Sequence, residues 1–323
     1  MSSVDASSTD VSSSASPRTP TPARGRSPIR LVAGDRITIL LMAGIPTLIL
    51  LGLVWFPALS SIALSFTRWD GIGGLKTAKW VGFTNYRQIF TIYPPFWPAV
   101  RHNIVWLIFL LFIATTFGLF LAVLLDKNVR FSRIYQSAFY MPVILSSAVI
   151  GFIWGNLIYS PGQGLLNSVL GRTAEGHQID WIGDPHKNIY AVLIAVLWRH
   201  AGYIMVLYLA GLKGVDPSLR EAASIDGANE WKTFWRVVFP AMKPVNIVVL
   251  VVTVIESLRA FDLVYIINKG RNGLELLSVL VTDNIIGEAS RIGYGSALGV
   301  LLLLISMIFI IVYLVNVFRE QQP

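Results

Sequence analysis

Long uncharged blocks alternate with short polar stretches along this chain. Residues 37–67, 103–125, 134–171 and 292–318 contain no Asp, Glu, Lys or Arg. About 20 helical residues span the hydrocarbon layer of a bilayer, so each block is long enough to cross it. Residues 188–212 and 244–268 are also long and apolar, though a few charges lie inside them. The pattern predicts an all-α polytopic membrane protein with six transmembrane helices. Their expected bounds are about 37–66, 103–125, 134–159, 188–212, 244–268 and 292–318. Pro46, Pro57 and Pro142 fall inside blocks, where neighbouring helices can re-satisfy the freed backbone groups.

Composition agrees. Of 323 residues, 54% are apolar and only 14% charged, against about 25% charged in a soluble domain. The net charge of +8 follows from basic residues in the loops of a membrane protein rather than from nucleic-acid binding. Cysteine is absent, which excludes disulfides, thiolate metal sites and a cysteine nucleophile. His102, His177, His186 and His200 are too scattered for a zinc site. No phosphate-binding Gly-x4-Gly-Lys-[Ser/Thr] loop occurs, so no metal or nucleotide is expected on this chain and no catalytic residue is assigned.

Residues 1–34 form a Ser/Thr/Pro-rich tail that is expected to be a disordered extension ahead of a retained first helix. Residues 35–320 form the membrane domain. The loops at 126–133 and 213–243 carry eight Lys or Arg in about forty residues. The three opposite loops carry ten in nearly ninety. The denser positive loops predict both termini on the cytoplasmic side.

The loop at 213–243 departs most from the apolar pattern. Asp216-Pro217-Ser218 is a helix-start signal, with a capping side chain and proline in the first turn. Gly227 ends the helix. Glu230 to Phe239 then places Trp231, Phe234, Trp235 and Val238 at helical spacing, an amphipathic stripe closed by Pro240 and Pro244. Such a helix pair on the inner face of a membrane is either a lipid anchor or a docking element.

Its residues resemble a known motif. Glu221-Ala222-Ala223, three residues, Gly227, nine residues, then Val237-x-Phe239-Pro240 is similar to the E-A-A-x3-G-x9-I-x-L-P loop of bacterial ABC importer permeases. Val and Phe stand for the usual Ile and Leu. Ile225-Asp226-Gly227-Ala228 is similar to the I-D-G-A of the carbohydrate branch. WVGFTNY (80–86), YMP (140–142) and SLRAFD (257–262) resemble the first, maltose-type permease subunit of such importers.

The resemblance covers about residues 37–318 and implies the type I importer permease fold. It implies that 213–243 is a coupling loop, with Glu221, Ala222, Ala223, Asp226, Gly227, Ala228 and Pro240 contacting an ATPase. Small residues allow close approach, Glu221 offers a charge, and Gly227 makes the turn. The implied partners are a second homologous permease, two ATP-binding subunits carrying ATP and magnesium, and an extracytoplasmic sugar-binding protein. The implied place is the bacterial cytoplasmic membrane, and the implied cargo is a sugar, a di- or oligosaccharide.

Ionisable groups inside membrane helices face a cavity or a partner. Arg199 lies in the fourth block; Glu256, Arg259 and Asp262 would share one face of the fifth. They form either an inter-helix ion network or part of a substrate path. Sugar sites combine aromatic faces with a few polar groups. Trp154, Asn156, Trp198, His200 and Tyr203 have that character on the third and fourth helices, from which the family builds its membrane sugar site. Two alternatives stand beside a sugar importer. The same machinery could carry glycerol 3-phosphate or a related polyol, for which Arg199 would be the basic group. An ion-coupled secondary transporter would use Glu256 and Asp262 as its carboxylates.

Overall fold

The computed structural model describes residues 33–127, 129–287 and 290–320; most of the N-terminal tail lies outside them. The chain divides between Trp55 and Phe56. The first unit is a helix, α1 (Ala33–Leu50), followed by a π turn at Leu51–Trp55. Helix therefore begins at Ala33, before the expected start of the first span. Its large apolar side chains, Leu40, Met42 and Leu53 among them, are exposed, as suits a surface solvated by lipid.

The second unit opens with α2 (Phe56–Leu64) and a two-strand hairpin, β1 (Thr67–Arg68) antiparallel to β2 (Lys79–Trp80). Then come α3 (Thr84–Ile92) and the long α4 (Phe96–Asp126), which contains a π segment at Phe109–Ala114. Next are α5 (Ser132–Ile144), α6 (Ser147–Ile158), α7 (Leu165–Val169) and α8 (Asn188–Gly214). The polar loop contains α9 (Pro217–Ile225) and α10 (Glu230–Ala241). Helices α11 (Lys243–Leu258), α12 (Asp262–Asn268), α13 (Leu277–Ile285) and α14 (Ile292–Glu320) complete the chain.

Among the described residues, four helices are long and apolar enough to cross a membrane unaided: Ile37–Leu64, Phe96–Asp126, Asn188–Gly214 and Ile292–Ile311. Six crossings result if each of two bent pairs is one span. The third expected span, 134–159, is not one helix. It bends by 95° between α5 and α6, where Leu145 and Ser146 are extended. The Ser146 hydroxyl accepts the Val149 N–H at 3.3 Å and starts the new helix.

The fifth span is also interrupted. Helix α11 ends at Leu258, Phe261 adopts φ −149° and ψ −59°, and α12 restarts at Asp262. Glu256, Arg259 and Asp262 therefore do not share one helical face, a correction to the spacing argument. Irregular backbone at membrane depth survives only inside protein or beside a cavity, and this break lines a cleft.

Helices α4 and α8 pack closely. A Cβ on Gly118 would lie 2.7 Å from the Ile204 side chain and 3.0 Å from the Ala201 carbonyl. Small residues at such a contact let membrane helices approach without a water-driven hydrophobic force. Around this pair, buried Trp106, Ile150, Val192 and Val264 join α4, α6, α8 and α12. A second cluster, with Leu121, Met205, Leu209, Val238 and Met242, joins α4 and α8 to the polar loop. A third, with Ile89, Phe96, Leu280 and Leu298, joins α3, α4, α13 and α14.

Candidate functional site

In the polar loop, α9 is capped at both ends. Asp216 Oδ1 accepts the Ser218 N–H at 2.9 Å, and Pro217 is the first helical residue. This hydrogen bond holds the Asp216 carboxyl below its ordinary range. At the other end the Ala228 N–H reaches the Ala223 carbonyl at 3.0 Å and the Gly227 N–H reaches Ser224 at 3.1 Å. That is a Schellman closure, and it requires the φ of +75° that Gly227 adopts. No atom lies within 4 Å of a Cβ added at Gly227, so its role in this chain is conformational.

Glu221, Ala222, Asp226 and Gly227 are exposed, and Ile225 is 86% exposed at the tip. Ala228 is half-buried and Pro240 exposed. Ala223 is buried and presents no surface to a partner; its small size serves this chain's own packing, which differs from the expectation.

Asn229 caps the start of helix α10, its Oδ1 accepting the Lys232 N–H at 2.9 Å. A π turn spans Phe234–Val238. The extra residue rotates the turn after it, so the expected stripe does not close as one face. Val238 is buried, Phe234 is half-buried, and Trp231 remains 71% exposed. Nor do the prolines end the helix as expected. Pro240 lies inside α10, and the 75° bend to the next helix comes at Met242, with Pro244 in the first turn of α11.

The membrane candidates divide among several places. Arg199 Nη2 on α8 lies 3.7 Å from Glu256 Oε2 on α11, and Arg199 Nη1 donates to Ser147 Oγ on α6 at 3.2 Å. His200 is buried, its Nε2 3.2 Å from Thr253 Oγ1. Thr253 in turn lies 3.4 Å from Thr115 Oγ1 on α4. Arg199, His200 and Glu256 line one cleft with Arg259, Phe261 and Asp262. Its volume of about 60 Å³ holds a few waters and no sugar ring. The two arginines and two carboxylates on its walls balance in charge.

Trp154 on α6 and Trp198 on α8 pack edge to face, ring centroids 5.9 Å apart. The Trp154 Nε1 is buried without a hydrogen-bond partner, an unmet donor at the edge of an aromatic pair. Asn156 lines a different cavity of about 360 Å³ with Gly155, Tyr159, Asp180 and Ile266, a volume within the range of small-ligand sites. Tyr203 belongs with the apolar cluster beside the loop, away from the cleft. Sequence reading missed Ser147 and Thr253, single hydroxyls in apolar blocks. It also missed Asp180, whose loop folds back over α6. The stacked pair Phe261 and Tyr265, 4.9 Å apart, was signalled only by its spacing of four.

Residues 114–320 match the family of binding-protein-dependent transport system inner membrane components, and the chain belongs to it. A probable ABC transporter permease of Pyrococcus horikoshii is 33% identical over 285 residues, 86% of this chain and 95% of the relative. A xylose/arabinose import permease of Haloferax volcanii is 31% identical, over 86% of this chain and 87% of the relative. An arabinooligosaccharide transport permease of Bacillus subtilis is 30% identical, over 78% and 80% respectively. In fold, the chain is similar to a bacterial ABC transporter that imports alginate. The TM-score is 0.74 at 19% identity, over 90% of this chain and 98% of that one. The protein is thus a multi-pass inner-membrane permease with the type I importer fold.

Proposed function

We propose that this chain is one permease subunit of an importer that carries a di- or oligosaccharide into the cell. It pairs with a second homologous permease and receives its cargo from an extracytoplasmic sugar-binding protein. Two ATP-hydrolysing subunits, carrying ATP and magnesium, dock on residues 213–243, and this chain binds neither. Both termini then face the cytoplasm, where the basic loops lie. The names of the Haloferax and Bacillus relatives support a sugar. A second alginate transporter structure similar to this chain, TM-score 0.75 at 17% identity, was solved with an alginate-loaded periplasmic protein, which supports a binding-protein partner. Arg199 is paired with Glu256 and so does not stand as the basic group that a phosphorylated polyol would need.

The observation that carries this reading is the tip of α9. It is a helix closed at both ends whose Glu221, Ala222 and 86% exposed Ile225 have no partner among the described residues. Gly227→Leu tests it. The side chain strains the left-handed turn at a position where an added Cβ has no described atom within 4 Å. ATPase subunits are expected to be lost from the purified complex and uptake to stop, while the permease still folds. Full uptake by an intact complex would refute the docking role.

A further inference from the structure

Two long helices, α4 and α8, run side by side through the core and are clamped together at both ends. At the end nearest the docking loop, Arg220 adjoins Glu221 and faces back into the chain. Its Nη1 lies 3.0 Å from Asp126 Oδ2, at the last turn of α4. Its Nη2 donates to the Leu212 carbonyl near the end of α8 at 3.3 Å. Asp126 is largely shielded, its side chain 16% exposed, which strengthens a charge-assisted pair. The neighbouring Lys127 reaches Glu230 on the other arm of the loop at 2.5 Å.

At the far end, residues 272–277 bridge the same two helices. Asn103 Oδ1 on α4 accepts the Leu277 N–H at 2.9 Å in a buried setting. His102 Nδ1 lies 2.9 Å from the Glu275 carbonyl. Asn188, the first residue of α8, donates to the Asn272 carbonyl. Between the two clamps the helices are in close contact at Gly118 and the Ile204 turn. Densely packed elements pass a displacement on to their neighbours.

We infer that Arg220 and Asp126 are the positioning pair that fixes the docking loop to α4 and α8. A displacement of the loop is then carried along both helices to residues 272–277. This rests on the docking role proposed for residues 213–243. Docking belongs to the exposed tip of α9; transmission belongs to Arg220, whose side chain turns back to Asp126 and Leu212. The two can be separated.

The test uses the whole importer in liposomes, reading ATPase subunits bound, ATP hydrolysed and sugar taken up. Arg220→Asp and Asp126→Arg are each expected to keep the ATPase subunits while uptake per ATP falls about tenfold, the worth of one partly exposed charge-assisted pair. The double exchange is expected to recover most of the loss, which a general packing defect would not do. Wild-type uptake per ATP in both single variants overturns the inference, as does a double variant no better than the singles. Should the singles fail to assemble, a second arm decides. The chain has no native cysteine, so Asp126→Cys with Arg220→Cys gives one bridgeable pair. Without the ion pair the reduced form is expected to share the loss of the single variants, and joining the two cysteines with a short reducible linker is expected to recover most of the uptake per ATP, because the contact is again held closed. Uptake abolished by the linker and restored by reduction overturns the inference. A wild-type complex that contains no ATPase subunit would instead remove the reading on which it rests.

Discussion

Gly202 on α8 faces the backbone carbonyl of Phe139 on α5 so closely that a Cβ would lie 2.1 Å from that oxygen. The obstacle is backbone, so no rotamer change relieves it. Gly202→Ala is expected to lower stability in detergent by about 3 kcal/mol, the upper range for overpacking. Gly118→Ala meets the Ile204 side chain first and is expected to lose less. Thermal unfolding of the two variants checks the order; equal melting temperatures would contradict it.

The Arg199–Glu256 pair predicts a different signature. Both side chains are more than one-third exposed to the cleft, which moderates the interaction. Glu256→Gln strands the Arg199 charge and is expected to destabilise by about 1–2 kcal/mol. Replacing both residues with methionine is expected to return most of that stability. If the double replacement is instead worse than the sum of the singles, the pair has a role beyond charge balance.

Asn167, on the short helix α7 that comes after α6, is completely buried. Its amide donates to the Pro161 and Ile179 carbonyls at 2.9 Å each and accepts the Trp181 N–H at 3.1 Å. Asn167→Ala removes three hydrogen bonds made by a buried amide and is expected to cost about 2–3 kcal/mol locally. Faster protease cleavage within residues 172–180, with the membrane helices unaffected, is the measurement. Unchanged cleavage would show that the loop is held elsewhere.

Acid is expected to loosen the start of α9. The Ser218 N–H keeps the Asp216 carboxyl below its ordinary value, so the folded loop binds fewer protons than the unfolded one near pH 4. The stabilisation is complete above the unfolded carboxylate value and is lost as pH falls through the lower folded one. Hydrogen exchange at residues 218–221 should therefore quicken on acidification below about pH 4. Asp216→Asn keeps the capping oxygen and removes the charge, so its exchange should vary less over that range. An identical pH response in both would assign the effect to another group.

Hydrophobic blocks, caps and turn residues are local, and they were legible in the chain. Runs such as 292–318 are too long and apolar for any setting but lipid. Asp216-Pro217 and Gly227 announce the ends of α9 because capping and a left-handed turn depend on a few adjacent residues. Features that depend on approach between distant segments were not legible. The bend at Leu145–Ser146 lies in an uncharged block whose composition resembles an unbroken helix. The inward burial of Ala223 follows from α9 packing on residues 234–238, and across the π turn Val238 is buried while Trp231 and Trp235 pack on each other at the exposed side. The membrane candidates were of the right chemical type, yet folding gathered Arg199, His200 and Glu256 around one cleft and sent Asn156 and Tyr203 elsewhere. By itself the sequence determined where this protein meets lipid and which loop it turns outward. Only tertiary structure decided which polar groups meet inside, because a membrane helix is apolar on nearly every face and its partners are chosen by close backbone contact and rare polar pairs.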